Sequence, residues 1–303
     1  MEYRSTRGGP PVTVEQAIMS GTAADGGLYV PSALPVLSVA DFAGCESFAE
    51  VAARFLRPFL AASSLEGPLA VICREALDFP IPVRPVESGL SVLELFHGPT
   101  AAFKDVGARF LAAAMSRILQ DGRHARPPVT ILVATSGDTG GAVAAAFHGR
   151  PGLRVVVLFP EGRVSPRQQH QLTCWGGNVT SLAVRGEFDD CQRLVKAAFA
   201  NTVLARSHSL CSANSINVGR LLPQAAYYAR TSLDHFRQTG QRTSFVIPPG
   251  NLGNAFACVW ARHVGLPIDR IVLATNANTT VEDYLAPGQW LPPPTVAPLA
   301  SAM

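Results

Sequence analysis

Residues 129–141 read VTILVATSGDTGG, and this stretch decides the fold class. Its first part, Val129–Thr135, is a continuous, mainly apolar run that is typical of a strand buried on both faces of a parallel sheet. The glycine-rich second part leads into Gly140–Phe147, whose small residues favour a helix. A strand, a glycine turn and a helix in this order predict a βαβ unit with a ligand site beyond the carboxyl end of the strand.

The same alternation continues along the rest of the chain. Further strands are predicted at 153–159, 178–184, 203–210, 244–248 and 270–274. Segments of helical length lie between or beside them, at 166–174, 187–200, 218–228 and 255–263. Strands separated by helices are typical of parallel sheets with right-handed crossovers, so the sequence predicts an α/β fold.

The first 90 residues are less regular. A short helix is predicted at 13–20 with Thr13 as its cap, a short strand at 28–30, and helices at 46–62 and 67–77. Prolines then interrupt the pattern at positions 80, 82 and 85, which indicates a connection into the main body of the molecule.

Composition excludes several classes of protein. Of the 303 residues 48% are hydrophobic and 16% are charged, which suits a sizeable core and argues against wholesale disorder. The apolar runs are far shorter than the roughly 18 residues that span a bilayer, and no secretory signal is recognisable. A net charge of +3 without a basic block makes nucleic acid an unexpected partner. The six isolated cysteines predict reduced thiols in a cytoplasmic protein, with neither disulfides nor a metal site.

Lysine usage singles out one residue. Among 25 basic residues only Lys104 and Lys196 are lysines. An arginine serves wherever only charge is needed, but it cannot form an imine, which requires a primary amine that can lose its proton. Lys196 lies on the amphipathic segment 187–200 and is interpreted as a solvated charge, which leaves Lys104 as the candidate for chemistry.

The neighbours of Lys104 support this interpretation. Residues 96–105 read FHGPTAAFKD, so a turn precedes an apolar helix at 106–119, with Thr100 as the expected N-cap. A lysine in the first turn has its pKa lowered by the helix dipole, which favours the neutral amine. The alternative is an ordinary surface pair between Lys104 and Asp105.

Three polar loops have the composition of anion sites. ATSGDTGG at 134–141 offers amides and hydroxyls at a helix start for a carboxylate or a phosphate, and its Asp138 suits a site that also holds a cationic group. PPGNLGN at 248–254 is a second glycine turn of this kind. SANSINVGR at 212–220 combines Arg220 with asparagine and serine donors that together bind phosphate. Each loop also has an ordinary interpretation, as a tight turn or a helix cap.

Two anion-binding turns and one lysine with a lowered pKa indicate a phosphorylated cofactor that forms an imine. Pyridoxal 5'-phosphate fits that description. The third loop adds a phosphorylated substrate.

At this point the sequence resembles the threonine synthases, pyridoxal-phosphate enzymes with the tryptophan-synthase-β-like fold, also called fold type II. The resemblance is carried by YRSTRG at 3–8, DGGLYVP at 25–31 and the segments 96–105, 134–141 and 248–254, in the order of that family. Several separate motifs in one order are far more specific than any one glycine loop.

The resemblance implies a role for each candidate residue. Lys104 would bind the cofactor covalently and later transfer protons, with Asp138 near the hydroxyl group of the cofactor. The cofactor phosphate would be bound by Gly250, Asn251, Leu252, Gly253 and Asn254. The substrate carboxylate would be bound by Thr135, Ser136, Gly137 and Thr139, and the phosphate of O-phosphohomoserine by Asn214, Ser215 and Arg220. The implied reaction removes phosphate from the γ-carbon and adds water at the β-carbon, which gives L-threonine.

The resemblance also implies an organisation. It predicts two open parallel-sheet domains with an N-terminal extension: a region at 1–90, a domain at 91–200 with the lysine and the substrate loop, and an incomplete domain at 201–303 with the cofactor-phosphate loop. We expect a monomer or a homodimer. Members of this family are usually longer than the 303 residues of this chain, so the resemblance implies that the second domain is incomplete. Two alternatives stay open: another fold-type II lyase, such as a threonine dehydratase, a cysteine synthase or a phospho-lyase, and a truncated homologue that binds ligand without turnover.

Overall fold

A computed structural model describes residues 1–120, 128–250 and 252–285. Asn251, a sequence candidate for the cofactor phosphate, lies outside the described residues, as do residues 286–303. The elements of the N-terminal third are β1 (Tyr3–Ser5), α1 (Val14–Ser20), β2 (Tyr29–Pro31), α2 (Phe48–Leu56), α3 (Leu69–Ala76), β3 (Val83–Glu87) and β4 (Leu90–Leu93). Those that follow are α4 (Lys104–Gln120), β5 (Val129–Ala134), α5 (Asp138–Phe147), β6 (Leu153–Pro160), α6 (Pro166–Thr173), β7 (Val179–Val184), α7 (Phe188–Ala200), α8 (Thr202–Ser207), β8 (Leu210–Cys211), α9 (Val218–Thr239), β9 (Thr243–Ile247), α10 (Gly253–His263), β10 (Ile268–Leu273) and α11 (Thr280–Leu285).

A four-stranded parallel sheet forms the centre of the molecule. Its strand order is β7-β6-β5-β8, and Val129 of β5 pairs with Leu153 of β6. All six residues of β5 are buried, as the apolar run predicted. Helix α4 packs against α5 and α9, so the segment that starts at Lys104 lies beside the helix that follows the β5 loop.

A second parallel sheet consists of β9 and β10, and α10 packs between it and α9. Two parallel sheets with helical crossovers agree with the expected fold class. Strand β8 pairs with β5, so the first sheet extends past residue 200.

The N-terminal region shares the core of the rest of the chain. Its helix α2 packs against both α3 and α9, and the buried Tyr3 hydroxyl donates a hydrogen bond to Phe59 O at 3.0 Å. Helix α1 begins after Thr13, whose side chain accepts from Gln16 N, so the predicted cap is confirmed. No helix among residues 1–120, 128–250 and 252–285 combines the length and the apolar character that crossing a membrane requires.

Two sequence expectations about secondary structure are wrong. The segment 203–210 was expected to be a strand, but most of it is α8, because the Asn201 side chain caps a helical turn by accepting from Leu204 N at 3.0 Å. The proline-containing segment at 80–85 was expected to be a connection, but it enters an antiparallel hairpin in which Val83 pairs with Leu93. Pro85 is tolerated there because a two-stranded ribbon leaves one side of each strand unpaired.

Candidate active site

Lys104 is the first residue of α4, at the end of the loop 97–103. Its side chain is 24% exposed, and its Nζ lies 3.6 Å from Asp138 Oδ2 and 4.6 Å from the centre of the Phe103 ring. Burial is the main cause that lowers the pKa of Lys104; the charge of Arg220 lowers it further, while the Asp138 carboxylate raises it. The expected bias towards a neutral amine is therefore present, with burial as its leading cause.

Asp105 does not form the surface pair that was the alternative for Lys104. Its buried carboxylate accepts from Thr100 N at 2.9 Å and from Thr100 Oγ1 at 2.7 Å. Burial raises the pKa of Asp105, and these hydrogen bonds oppose the rise. Thr100 is thus not the N-cap, because it lies four positions before the helix and its hydroxyl is bound to Asp105. Together the two residues fix the turn that delivers Lys104.

The loop after β5 is held by Thr135. The Thr135 hydroxyl accepts from Gly137 N and from Gly140 N, both at 2.9 Å, and the residue is buried. Thr135 and the Gly137 amide are therefore occupied within the loop. Ser136 is exposed and Thr139 is half-buried at the start of α5, where the first N–H groups of a helix have no intrahelical partner.

The glycines of this loop face helix α6. Gly137 has a φ of +146°, and a Cβ at this position would lie 2.5 Å from Gln168 Nε2. A Cβ at Gly140 would lie 2.4 Å from Thr135 Cγ2 and 2.7 Å from Leu172 Cδ2. The packing of α6 and of Thr135 therefore already requires a glycine at both positions.

Arg220 is a buried cation near the start of α9. The residue is 2% exposed; its Nη1 donates to Ala213 O at 2.7 Å, and its Nε has no hydrogen-bond partner among the described residues. Burial lowers the pKa of Arg220 to about 10, and the charge of Asp105 opposes this. A buried guanidinium without a paired carboxylate is costly, and an anion bound beside it would offset that cost.

The loop before α9 is tied to the N-terminal region by Asn217. The Asn217 Nδ2 donates to Ile18 O and to Ser212 O, at 2.9 and 3.0 Å, and its Oδ1 accepts from Gly219 N. These bonds leave Asn214 and Ser215 half-buried at the loop surface. Asn217 was not among the sequence candidates, although its place just before an apolar helix is the usual signal of an N-cap.

The glycine turn before α10 lies next to this loop. Gly250 and Leu252 have φ values of +50° and +62°. Gly253 has an ordinary φ, and a Cβ there would lie 3.4 Å from Ser215 Cβ. The Asn254 side chain donates to Pro248 O at 3.1 Å. The positive φ values of this turn therefore lie before Gly253, while Gly253 itself borders the loop of Ser215.

The contacts bring the four predicted segments together. Lys104 meets the β5 loop at Asp138, and the backbone of Arg220 lies against α4, where a Cβ at Gly107 would be 2.7 Å from Arg220 O. The α10 turn meets the α9 loop at Gly253 and Ser215. The site thus combines an amine of lowered pKa, the Asp138 carboxylate, a buried guanidinium and the amino-terminal ends of four helices, α4, α5, α9 and α10.

Sequence reasoning missed Gln168 of α6, whose Nε2 donates to Asp138 Oδ1 at 2.9 Å. The signal that was available is the pattern Ser-x-x-Gln at 165–168, which is a capping box. That pattern predicts a helix start, but it does not tell which loop the helix will face.

Two family models match the chain. The model of pyridoxal-phosphate dependent enzymes matches residues 87–303, and the model of the threonine synthase N terminus matches residues 2–77. The chain is 41% identical over 292 residues to the threonine synthase of Haemophilus influenzae, which covers 96% of this chain and 68% of that protein. It is 42% identical over 294 residues to the threonine synthase of Escherichia coli, with the same coverage.

Solved structures give the same picture. The crystal structure of threonine synthase from Escherichia coli superposes with a TM-score of 0.90 at 41% identity, covering 100% of this chain and 70% of that one. A threonine synthase from Brucella melitensis, solved with bound pyridoxal phosphate, superposes with a TM-score of 0.86 at 40% identity, covering 95% of this chain and 63% of that one.

Proposed function

This chain belongs to the threonine synthase family of pyridoxal-phosphate enzymes, and from that premise we propose that its four converging segments bind pyridoxal 5'-phosphate and convert O-phospho-L-homoserine and water to L-threonine and phosphate. The single observation that carries the proposal is the position of the Lys104 side chain. It is 24% exposed, and its Nζ lies 3.6 Å from Asp138 Oδ2, where these segments meet.

The residues present fit the cofactor. Lys104 supplies a primary amine whose pKa is lowered by burial. The start of α10 supplies backbone N–H groups beside a glycine, Gly253, and such a helix start binds phosphate. The Nε of Arg220 is a further buried donor without a described partner, and we assign it to an anionic group of the substrate and not to the cofactor.

When bound, the cofactor supplies an electron sink for negative charge that develops on the substrate carbon next to the amino group. The chain supplies the other functions. Lys104 Nζ holds the cofactor and then accepts and returns protons at the substrate carbons, for which a neutral amine is required. Asp138 favours the cationic form of that amine, and it would lie near the hydroxyl group of the bound cofactor.

We assign the anionic groups to separate loops. Gly250, Asn251, Leu252, Gly253 and Asn254 bind the cofactor phosphate through the turn before α10. Ser136 and Thr139 bind the substrate carboxylate with the free amides at the start of α5, while Thr135 and Gly137 shape that loop. Arg220 binds the substrate phosphate with Asn214 and Ser215, and Ser215 lies at the border of the two phosphate sites.

The two lysines of the chain give a direct test. The protein is incubated with pyridoxal phosphate, reduced with borohydride and mapped by mass spectrometry. We expect the pyridoxyl group on Lys104, full labelling in Lys196→Arg and none in Lys104→Arg, because an arginine retains the charge and loses the imine chemistry. Label on Lys196 alone would overturn the assignment of Lys104.

A second measurement tests the reaction. Phosphate release and threonine formation from O-phosphohomoserine are measured for the same three proteins, with L-serine and L-threonine as comparison substrates. We expect turnover of the phosphorylated substrate only, since the buried Arg220 favours an anion. Turnover of serine or threonine instead would favour a dehydratase, and labelled protein without turnover would favour a homologue that only binds ligand.

We also propose a cytoplasmic protein that is a monomer or a homodimer, with regions at 1–90, 91–200 and 201–303. The isolated cysteines support the cytoplasmic location. Size-exclusion chromatography with light scattering gives the oligomeric state, and a tetramer or larger assembly would contradict it.

A further inference from the structure

Gln168 joins helix α6 to the loop that carries Asp138, and both ends of its amide are bound. Its Nε2 donates to Asp138 Oδ1 at 2.9 Å. Its Oε1 accepts from Ser165 N at 3.2 Å and from Ser165 Oγ at 3.1 Å. The partners fix the orientation of the amide, because a carboxylate only accepts and a backbone N–H only donates.

The space for this side chain exists because residue 137 is a glycine. A Cβ at Gly137 would lie 2.5 Å from Gln168 Nε2 and 2.6 Å from its Cδ. The amide of Gln168 therefore lies directly against the backbone of the loop.

Asp138 needs a partner of this kind. Its side chain is 41% exposed, so packing alone does not fix its orientation. One carboxylate oxygen, Oδ1, accepts from Gln168, and the other, Oδ2, lies 3.6 Å from Lys104 Nζ. The glutamine therefore orients the carboxylate that faces the amine.

We propose that Gln168 is a positioning residue, which holds the Asp138 carboxylate against Lys104 Nζ and so sets how readily this amine loses its proton. The inference rests on the proposed role of Lys104, but its test reads the protonation of the amine and not turnover. A failure of one is therefore distinguishable from a failure of the other.

The charged groups that face Lys104 come from three helices. They are Asp138 of α5, Arg220 of α9 and Asp105 of α4 itself. Burial and Arg220 favour the neutral amine, whereas Asp138 and Asp105 favour the ammonium form. If Asp138 turns away into solvent, the balance moves further towards the neutral amine.

Competitive acetylation measures this balance. The full chain, freed of cofactor with hydroxylamine, is treated with trace acetic anhydride over a range of pH, and the Lys104 and Lys196 peptides are quantified. Lys196 is the internal reference, because it lies exposed on α7. In Gln168→Met we expect the Lys104 profile to move to lower pH, with labelling at pH 7 relative to Lys196 raised roughly two- to tenfold.

Two controls isolate the hydrogen bond to Asp138. Gln169→Met makes the same change at an exposed neighbour on α6 and is expected to leave the profile unchanged. In an Asp138→Asn background, Gln168→Met is expected to have no further effect, because the carboxylate through which it acts is gone. A wild-type profile for Gln168→Met, or a shift that persists in this background, would overturn the proposal.

A third variant covers the case in which Gln168→Met fails to fold. Ser165→Ala removes the hydroxyl that binds Gln168 Oε1 and leaves the glutamine in place. We expect a shift of the Lys104 profile in the same direction but smaller. An unchanged profile in folded Ser165→Ala would then count as the negative result.

Discussion

The burial of Arg220 has a cost in stability that a bound anion would offset. Its guanidinium is buried, donates to Ala213 O and has no described partner at Nε. Removing a charge of this kind from water costs several kcal/mol, which a single hydrogen bond to a carbonyl does not offset. A residue that serves the fold alone would therefore be better as an apolar side chain of similar volume.

Replacement of Arg220 by methionine tests the effect of this residue on stability and on catalysis separately. In Arg220→Met we expect an unchanged or higher free energy of unfolding in urea, because a buried unpaired charge is lost. We expect kcat/KM for O-phosphohomoserine to fall roughly 10- to 200-fold, since a charge-assisted contact to phosphate contributes about 1.5–3 kcal/mol. Cofactor affinity should barely change.

Arg220→Lys completes this test. It should recover only part of the loss in kcat/KM, because an ammonium cannot make a forked contact. Wild-type kcat/KM in Arg220→Met, or a fall matched by an equal loss of cofactor affinity, would contradict a contact to the substrate phosphate.

At the scale of elements, the predictions from sequence were correct where the pattern that determines an element lies within a few residues. The apolar run of β5 and the Thr13 cap of α1 are contained in a few residues, and both were predicted. The segment 203–210 was misread because Val203 and Leu204 suit a strand, whereas the cap at Asn201 makes a helix and leaves Val203 77% exposed. The contact between Gln168 and Asp138 joins residues far apart in sequence, so no local pattern contains it.

The site followed the same rule. Lys104, Asp138 and Arg220 were predicted as candidate site residues because their residue types are unusual at their positions in the loops. The structural role of Thr135 and of the loop glycines was not predicted, because it depends on where α6 packs. A glycine in a turn looks the same in sequence whether a ligand or a helix lies against it.

The glycines at the start of α5 give a matched pair of variants. Gly140→Ala places a Cβ 2.4 Å from Thr135 Cγ2, so we expect a loss of about 1–3 kcal/mol in unfolding free energy from overpacking. Gly141→Ala places a Cβ 3.5 Å from Gln171 Cβ, which is ordinary contact, and should gain roughly 0.5–1 kcal/mol from helix propensity. Urea titrations give both values, and equal effects would contradict the packing of α6 on Gly140.

The turn before α10 has a matched pair of its own. In Gly253→Val the branched side chain extends towards Ser215 and the candidate phosphate site, so we expect cofactor affinity to fall by roughly tenfold or more. Gly67→Val is the control, because Gly67 has no positive φ and nothing within 4 Å of the added Cβ. Fluorescence titration with pyridoxal phosphate measures both, and an unchanged affinity in folded Gly253→Val would rule out this turn.

At the scale of the whole molecule, the N-terminal region is built into the core. One cluster of buried apolar side chains runs from Tyr3 to Ile268. Hydrogen bonds also join the N-terminal region to the rest of the chain: Asn217 donates to Ile18 O, and Arg237 Nη2 donates to Phe42 O at 2.7 Å. Residues 1–77 should therefore unfold together with the rest of the described chain.

Glu15 makes part of this stability depend on pH. Burial raises its pKa, but hydrogen bonds, led by that from Ser64 N at 2.7 Å, outweigh burial and leave the pKa of Glu15 lowered. A lowered pKa means that the stabilisation is complete above the unfolded pKa of about 4.3 and is lost as the pH falls through the folded value.

Glu15→Gln should therefore be less stable than wild type at pH 7 and approach it at pH 3. The expected difference at pH 7 is on the order of half a kcal/mol, because water screens this partly exposed group. Urea midpoints at the two pH values measure it. Glu2→Gln removes an exposed carboxylate that accepts no hydrogen bond from a described residue, and it is the control for the chemical change itself.

The packing of α6 also changes what the letters SGDTGG mean as a signature. Gly137 and Gly140 face side chains of α6, so these two letters encode the contact with a neighbouring helix, whether or not a molecule binds there. A search pattern built on them retrieves chains that share this pair of helices, whatever those chains bind. Ser136, Asp138 and Thr139 are the residues to which we assign chemistry, and a pattern that scores the two sets separately would distinguish a shared scaffold from a shared reaction.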